Sequence, residues 1–320
     1  MFERHKCKCE KIKEVKVYNT KEVQELYHKV FNASDEMDFT QNLNTATRSI
    51  IKHTDAFSLK MEKNAFQLFL ISVNIHNKTY KFVLDTGAQI SGIMSKHKAL
   101  IQTYQSEHKI AIKSASGSQK EMPTICLDRF FLGSLEIQNQ NFVVLEHNDF
   151  KLPIIKKEIM EFDGIIGWDI LSQFDFEFDT KKKIFSMVQS DDMFTYCNLI
   201  HALFPVVIVY DENKKPAIFG IDSGAKVSWL SEEYTRRKEL KIVRDVKGMN
   251  VGVHGIETMH VQMIKECTLS LFESKIHLEN TRSGQTQVFM NLALDGIFGN
   301  EIFRNHSIQF LNSKGIVRIL

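Results

Sequence analysis

The sequence predicts an all-β protein built from two similar halves. Many short runs of β-branched and aromatic residues are bounded by turn-forming residues, and helical segments are brief. An eight-residue motif occurs twice, as LDTGAQIS at residues 84–91 and as IDSGAKVS at residues 221–228. We expect two β-rich lobes over residues 63–190 and 200–320, related by an approximate two-fold axis, and a charged, partly helical extension over residues 1–62.

Each motif ends a predicted β-hairpin. Residues 66–75 and 79–85 have the composition of strands and are separated by a short polar turn, and residues 204–210 and 217–222 repeat this arrangement. A serine then precedes a short helical segment in each half, Ser95 before residues 96–104 and Ser231 before residues 232–240. Both serines are predicted helix caps, because a hydroxyl oxygen accepts hydrogen bonds from the free N–H groups at a helix start.

A second block also occurs twice, as DGIIGWDIL at residues 163–171 and DGIFGNEIF at residues 295–303. It begins 78 residues after Asp85 (163 − 85) in the first half and 73 residues after Asp222 (295 − 222) in the second. Each half then ends in a predicted hairpin, over residues 174–188 and 307–319. One Asp-Thr/Ser-Gly triplet is weak evidence, since these residues are common in turns, but two copies in one order indicate two halves of one site.

If the halves are related by a two-fold axis, Asp85 and Asp222 face each other across it. Two close carboxyl groups share one proton, so the pair supplies an acid and a base together. Such a pair can activate water for attack on an amide and protonate the leaving nitrogen, without a metal or cofactor.

The residues that follow each aspartate have predicted supporting roles. Gly87 and Gly224 allow the two turns to approach closely, because glycine has no Cβ. Thr86 and Ser223 each offer a hydroxyl that can bond across the junction.

With both motifs and both DGI blocks in view, the sequence resembles the aspartic proteases of the pepsin and retropepsin clan over residues 63–320. The resemblance implies a single-chain, retropepsin-like aspartic endopeptidase in which Asp85 and Asp222 are catalytic and no dimer is required. Ala88 and Ala225 follow the motif glycines, as in retropepsins, where the first lobe of pepsins has a hydroxyl residue. Loss of that hydroxyl donor raises the expected pKa values of the pair, so we expect activity nearer neutral pH than that of pepsin.

The family covers its substrate with a flap, and two Gly-containing turns are candidates. They lie at residues 114–118, with Ser116 and Gly117, and at residues 252–255, with His254 and Gly255. The alternative is that both turns are ordinary hairpin tips.

Composition excludes some partners. The net charge is +2, from 41 basic and 39 acidic side chains, and predicts neither nucleic-acid nor membrane binding. The first residues lack the apolar core of a signal peptide, and the five cysteines are scattered, so a cytoplasmic location is expected. The expected partner is a peptide or protein substrate.

Two questions stay open at this stage. Residues 1–62 are interpreted as a partner-binding module, an autoinhibitory segment, or extra strands and helices of the first lobe. The second function hypothesis is a catalytically silent peptide-binding protein with an aspartic-protease fold.

Overall fold

The computed structural model describes residues 6–11, 21–36, 50–52, 56–113, 119–146, 161–252, 255–285, 292–304 and 306–320. Its helices are α1 (Lys21–Glu36), α2 (Lys98–Tyr104), α3 (Trp168–Leu171) and α4 (Glu232–Arg237), with 3-10 turns at Asn300–Phe303 and Asn312–Lys314. Its strands as far as the end of the first lobe are β1 (Lys6–Lys11), β2 (Ile50–Lys52), β3 (Ser58–Lys60), β4 (Glu62–Lys63), β5 (Phe69–Ile75), β6 (Lys78–Leu84), β7 (Gly92–Met94), β8 (Gln105–Lys113), β9 (Gln119–Leu132), β10 (Leu135–Leu145), β11 (Gly164–Ile166), β12 (Phe176–Asp179) and β13 (Ile184–Met187). The strands of the second lobe are β14 (Leu199–His201), β15 (Pro205–Asp211), β16 (Pro216–Ile221), β17 (Trp229–Ser231), β18 (Ile242–Gly252), β19 (Gly255–Leu271), β20 (Ser274–Gly284), β21 (Gly296–Phe298), β22 (Ser307–Leu311) and β23 (Ile316–Ile319).

Two large sheets share one strand order. The first runs β2-β10-β7-β11-β6-β5-β9-β8 with β4 beside β5, and the second runs β1-β20-β17-β21-β16-β15-β19-β18 with β14 beside β15. Each strand of one sheet therefore has a counterpart at the same place in the other. The prediction of an all-β acid-protease fold is confirmed.

A third sheet joins the two lobes, in the order β23-β22-β12-β13-β3. Strand β12 of the first lobe pairs antiparallel with β22 of the second, and Phe176 lies opposite Phe310 in the register. These two rings stack with centroids 4.7 Å apart, inside a core of buried aromatic side chains. Burial of large apolar rings from both lobes fixes the position of one lobe against the other.

The predicted hairpins before the two motifs are present. In the first, β5 and β6 are joined by a tight turn in which His76 and Asn77 both have positive φ, at 47° and 64°. Strand β6 ends at Leu84 and strand β16 at Ile221, so the next residue in each case is the motif aspartate.

The two predicted helix caps have different outcomes. Ser231 is the N-cap of α4, and its Oγ accepts a hydrogen bond from Tyr234 N at 3.0 Å. The expectation for Ser95 is wrong, because α2 begins only at Lys98 and the Ser95 hydroxyl donates to Glu146 Oε2 at 3.1 Å. A turn directly follows β7, so the helix begins three residues after Ser95.

The N-terminal extension contributes to both large sheets. Strand β1 pairs antiparallel with β20 in the second sheet, and β2 pairs antiparallel with β10 at the corresponding edge of the first. Between them, α1 buries Val23 and Val30 and contacts β14 and β16. Within the part of the chain that the structure describes, no helix is long and apolar enough to cross a membrane.

Candidate active site

Both motif aspartates occupy the same place in their sheets. Asp85 N donates to Ile166 O at 3.0 Å, and Asp222 N donates to Phe298 O at 2.9 Å. Each aspartate thus extends the pairing of its strand with the parallel neighbour, β11 or β21. This pairing fixes the backbone from which each carboxyl group projects.

Hydroxyl groups tie the two turns together across the junction. Thr86 N donates to Ser223 Oγ at 2.9 Å, and Ser223 N donates to Thr86 Oγ1 at 3.0 Å. Each hydroxyl also donates onward across the junction, Thr86 Oγ1 to Ile221 O at 2.7 Å and Ser223 Oγ to Leu84 O at 2.8 Å. Both side chains are fully buried. The four bonds form a closed, two-fold-symmetric set that holds the aspartates in register.

The motif glycines let each turn lie against the opposite carboxyl group. A Cβ on Gly87 would stand 2.5 Å from Asp222 Oδ1, and a Cβ on Gly224 would stand 2.5 Å from Asp85 Oδ2. Real Cβ atoms do not approach other atoms so closely, so no larger residue fits at either position in this arrangement.

The two carboxyl groups are close enough to perturb each other's ionisation. Burial raises the pKa of Asp85, and repulsion from Asp222 raises it further. Burial also raises the pKa of Asp222, although the N–H groups of Ala225 and Gly224, which donate to its Oδ1 at 2.9 and 2.8 Å, act in the opposite direction. The pair therefore holds a proton to higher pH than an ordinary aspartate does.

A second pair of carboxyl groups, Asp169 and Glu301, supports the turns, and the sequence analysis missed it. Ser91 donates from N and Oγ to the two carboxyl oxygens of Asp169, at 3.0 and 2.7 Å. Ser228 N donates to Glu301 Oε1 at 2.8 Å in the second lobe. A signal was present, because a serine stands six residues after each motif aspartate (91 − 85 and 228 − 222) and an acidic residue stands six after each DGI aspartate (169 − 163 and 301 − 295).

Residues 71–170 match the model of a family described as aspartyl protease. The match supports an aspartic protease family. The matched segment contains Asp85 and residues 163–170 of the first DGI block, whereas Asp222 lies outside it and is related to Asp85 by the shared sheet topology. No curated protein matches the chain.

The aspartates that begin the two DGI blocks, Asp163 and Asp295, stabilise the two large sheets. Asp163 Oδ2 accepts from Lys81 N at 2.7 Å, and Asp295 Oδ2 accepts from Ile218 N at 3.0 Å, so each ties its loop to the strand that leads to a motif aspartate. Burial opposes ionisation of Asp163, but hydrogen bonds from His97, the Lys81 N–H and Lys96 outweigh it and lower the pKa to about 2. Asp163 is thus a charged structural anchor.

The two candidate flaps follow strands β8 and β18 in the sequence. Strands β8 and β9 pair as far as Lys113 and Gln119, and strands β18 and β19 as far as Gly252 and Gly255. Gly255 is the first residue of β19, whereas Ser116, Gly117 and His254 lie outside the described residues. Their role in covering a substrate stays a prediction.

Proposed function

We propose that this protein is a single-chain, two-lobed, retropepsin-like aspartic endopeptidase in which Asp85 and Asp222 activate water. The observation that carries the proposal is the pair of facing carboxyl groups, each set against the opposite turn, with the two turns cross-linked by Thr86 and Ser223. The division into lobes at residues 63–190 and 200–320, with an extension over residues 1–62, belongs to this proposal.

In the proposed reaction the carboxyl pair holds one proton at the start. The ionised carboxylate takes a proton from water as the water oxygen attacks the peptide carbonyl carbon, and the protonated carboxyl group donates its proton to the carbonyl oxygen. The intermediate carries two hydroxyl groups on one carbon. As its C–N bond breaks, the protonated carboxyl group donates a proton to the leaving nitrogen and one hydroxyl group gives its proton to the ionised carboxylate, so the second product is a carboxylic acid and the pair again holds one proton. No covalent intermediate with the protein is needed.

The substrate is proposed to lie extended between the lobes, where the paired hairpins β8–β9 and β18–β19 offer strand edges for backbone hydrogen bonding. Both aspartates come from one chain, so a second copy is not required for the site. All five cysteines are free thiols, which supports a reducing compartment such as the cytoplasm.

The alternative is a peptide-binding protein without catalytic activity. Two adjacent, half-buried carboxyl groups disfavour it, because holding them together costs stability and gives a binding module no evident benefit. The test is cleavage of a peptide library by the wild type, Asp85→Asn and Asp222→Asn, with and without a statine-type inhibitor.

Asp191→Asn is the matched control, because Asp191 is an exposed aspartate. The enzyme hypothesis predicts cleavage by the wild type and by Asp191→Asn, sensitivity to the inhibitor, and loss of cleavage in both site variants. A wild type that binds peptides and cleaves none of them would establish the silent binder instead.

A further inference from the structure

The two lobes present walls of different polarity beside the carboxyl pair. In the first lobe, one side of the sheet carries a buried apolar cluster that includes Val83, Val143 and Ile165 and packs against Ala88 and Ile90 of the first motif. We call this surface the first wall. Every side chain of that cluster is apolar, which suits an apolar side chain of a bound peptide.

The corresponding surface of the second lobe, the second wall, contains a charge. Gly220 stands at the place of Val83, because each lies two residues before its aspartate. In the first sheet Val143 pairs with Gly92 of β7, and in the second sheet Arg282 pairs with Trp229 of β17. An apolar pair in one wall is therefore replaced by an arginine and a tryptophan in the other.

Register places Arg282 on the same side of the sheet as the reacting carboxyl groups. Gly220 and Asp222 are two residues apart and so face one side. A Cβ on Gly220 would stand 2.4 Å from Phe204 Cε2 and 3.4 Å from Ile297 Cγ1, so the Phe204 ring covers Gly220 on this side and Ile297 lies beside it. Ile297 pairs with Trp229, which pairs with Arg282, and residues paired on neighbouring strands point to one face. The second wall thus runs from Asp222 to Arg282 across β16, β21, β17 and β20.

The guanidinium group of Arg282 is half-buried and lies over the ring of Trp229, 5.6 Å from its centroid. Among the described residues it makes no ion pair and no hydrogen bond. Glu301 is the acidic group that acts on it, but Glu301 Oε1 accepts from Ser228 N and Oε2 has no hydrogen-bond partner among the described residues. Burial lowers the pKa of Arg282, and the field of Glu301 offsets part of this effect.

A half-buried cation without a hydrogen-bonded partner is poised to bind an anion. Burial has already removed part of its water, and a carboxylate can form charge-assisted, bidentate hydrogen bonds with the fork of a guanidinium. The cation–π contact with the ring of Trp229 limits the motion of the side chain.

Three strand spacings separate β16 from β20, which is about 14 Å, and an extended peptide covers that distance in about four residues. An arginine side chain is long enough to reach part of the way back toward the carboxyl pair. The peptide residue that it binds is therefore about two to four residues from the scissile bond. We infer that the second wall is a subsite for an acidic substrate side chain, bound by Arg282 about two to four residues from the scissile bond, while the first wall takes apolar side chains. This inference rests on the proposed endopeptidase activity.

The test uses pairs of peptides that differ only in Glu against Gln at each of these positions, all acetylated and amidated so that the side chain supplies the carboxylate. The wild type should cleave the Glu member with a kcat/KM at least about tenfold higher at one position, the size expected of a charged hydrogen bond. Arg282→Gln should lose that preference while it still cleaves the Gln peptide, and Arg282→Lys should retain part of it. Arg236→Gln, which removes an exposed arginine from α4, should leave the preference unchanged.

Thermal unfolding of each variant shows that it is folded. Equal cleavage of the Glu and Gln members by the wild type would overturn the inference and leave the endopeptidase proposal standing. A preference that survives in Arg282→Gln would also overturn it. Absence of cleavage of every peptide by the wild type would overturn the proposed function, and the inference with it.

Discussion

Thr86→Val tests whether the cross-lobe hydroxyl bonds hold the site together. Valine keeps the shape of threonine and removes Oγ1, which accepts from Ser223 N at 3.0 Å and donates to Ile221 O at 2.7 Å. Thr86 is fully buried, so water cannot replace the lost partner without rearrangement. One N–H and one carbonyl group are left unsatisfied.

Each unsatisfied buried group costs about 1–3 kcal/mol, so the free energy of unfolding should fall by about 2–6 kcal/mol. The rate of peptide cleavage should fall as well, because the bond that aligns the second turn with the first is lost. Ser223→Ala should have a similar effect, since Ser223 makes the symmetric pair of bonds.

Urea unfolding followed by circular dichroism measures the first effect, and kcat on a cleaved peptide measures the second. Thr79→Val is the matched control, because Thr79 is exposed and its hydroxyl donates to Asn74 Oδ1 on the protein surface. It should change the free energy of unfolding by less than about 0.5 kcal/mol. The reasoning is refuted if Thr86→Val is no less stable than Thr79→Val.

Three other predictions follow from the site and its supports. The active form of the aspartate pair carries one proton, so raised pKa values of the pair move both limbs of the pH–rate profile to higher pH. We therefore expect kcat/KM to peak nearer neutral pH than it does for pepsin. A maximum near pH 2 would contradict this. Gly87→Ala and Gly224→Ala each place a methyl group against the opposite carboxyl group and should abolish cleavage and lower the melting temperature, so wild-type activity in either variant would count against the geometry. Ser231→Ala should lower the free energy of unfolding by about 0.5–2 kcal/mol through loss of a helix cap, whereas Ser95→Ala should change it by less than about 0.5 kcal/mol; equal losses in urea unfolding would contradict the assignment of the cap.

Local patterns in the sequence predict much of this fold. The alternation of strand-like runs and turns gives the hairpins before Asp85 and Asp222, and the repeated motifs give the two-fold relation of the sheets. These features depend on residues close in the chain or on direct repetition, so a single sequence is enough to show them.

The sequence analysis did not predict contacts between residues far apart in the chain, and the reason is physical. The place of β1 beside β20 depends on which sheet edge is open, and no pattern within Lys6–Lys11 specifies that edge. The stacking of Arg282 on Trp229 joins residues 53 positions apart (282 − 229), and the register that joins them is set by the whole sheet. The cap expected at Ser95 failed because the turn after β7 takes up three residues before the helix begins.

The central claim is that Asp85 and Asp222 act as one unit, and a double-mutant cycle tests it most directly. Peptide cleavage would be measured for Asp85→Asn, Asp222→Asn and the double variant. If the pair shares one proton and both aspartates are needed for the same catalytic step, each single variant should lose about as much of kcat/KM as the double variant does. Losses that multiply in the double variant, or full activity in either single variant, would contradict the account.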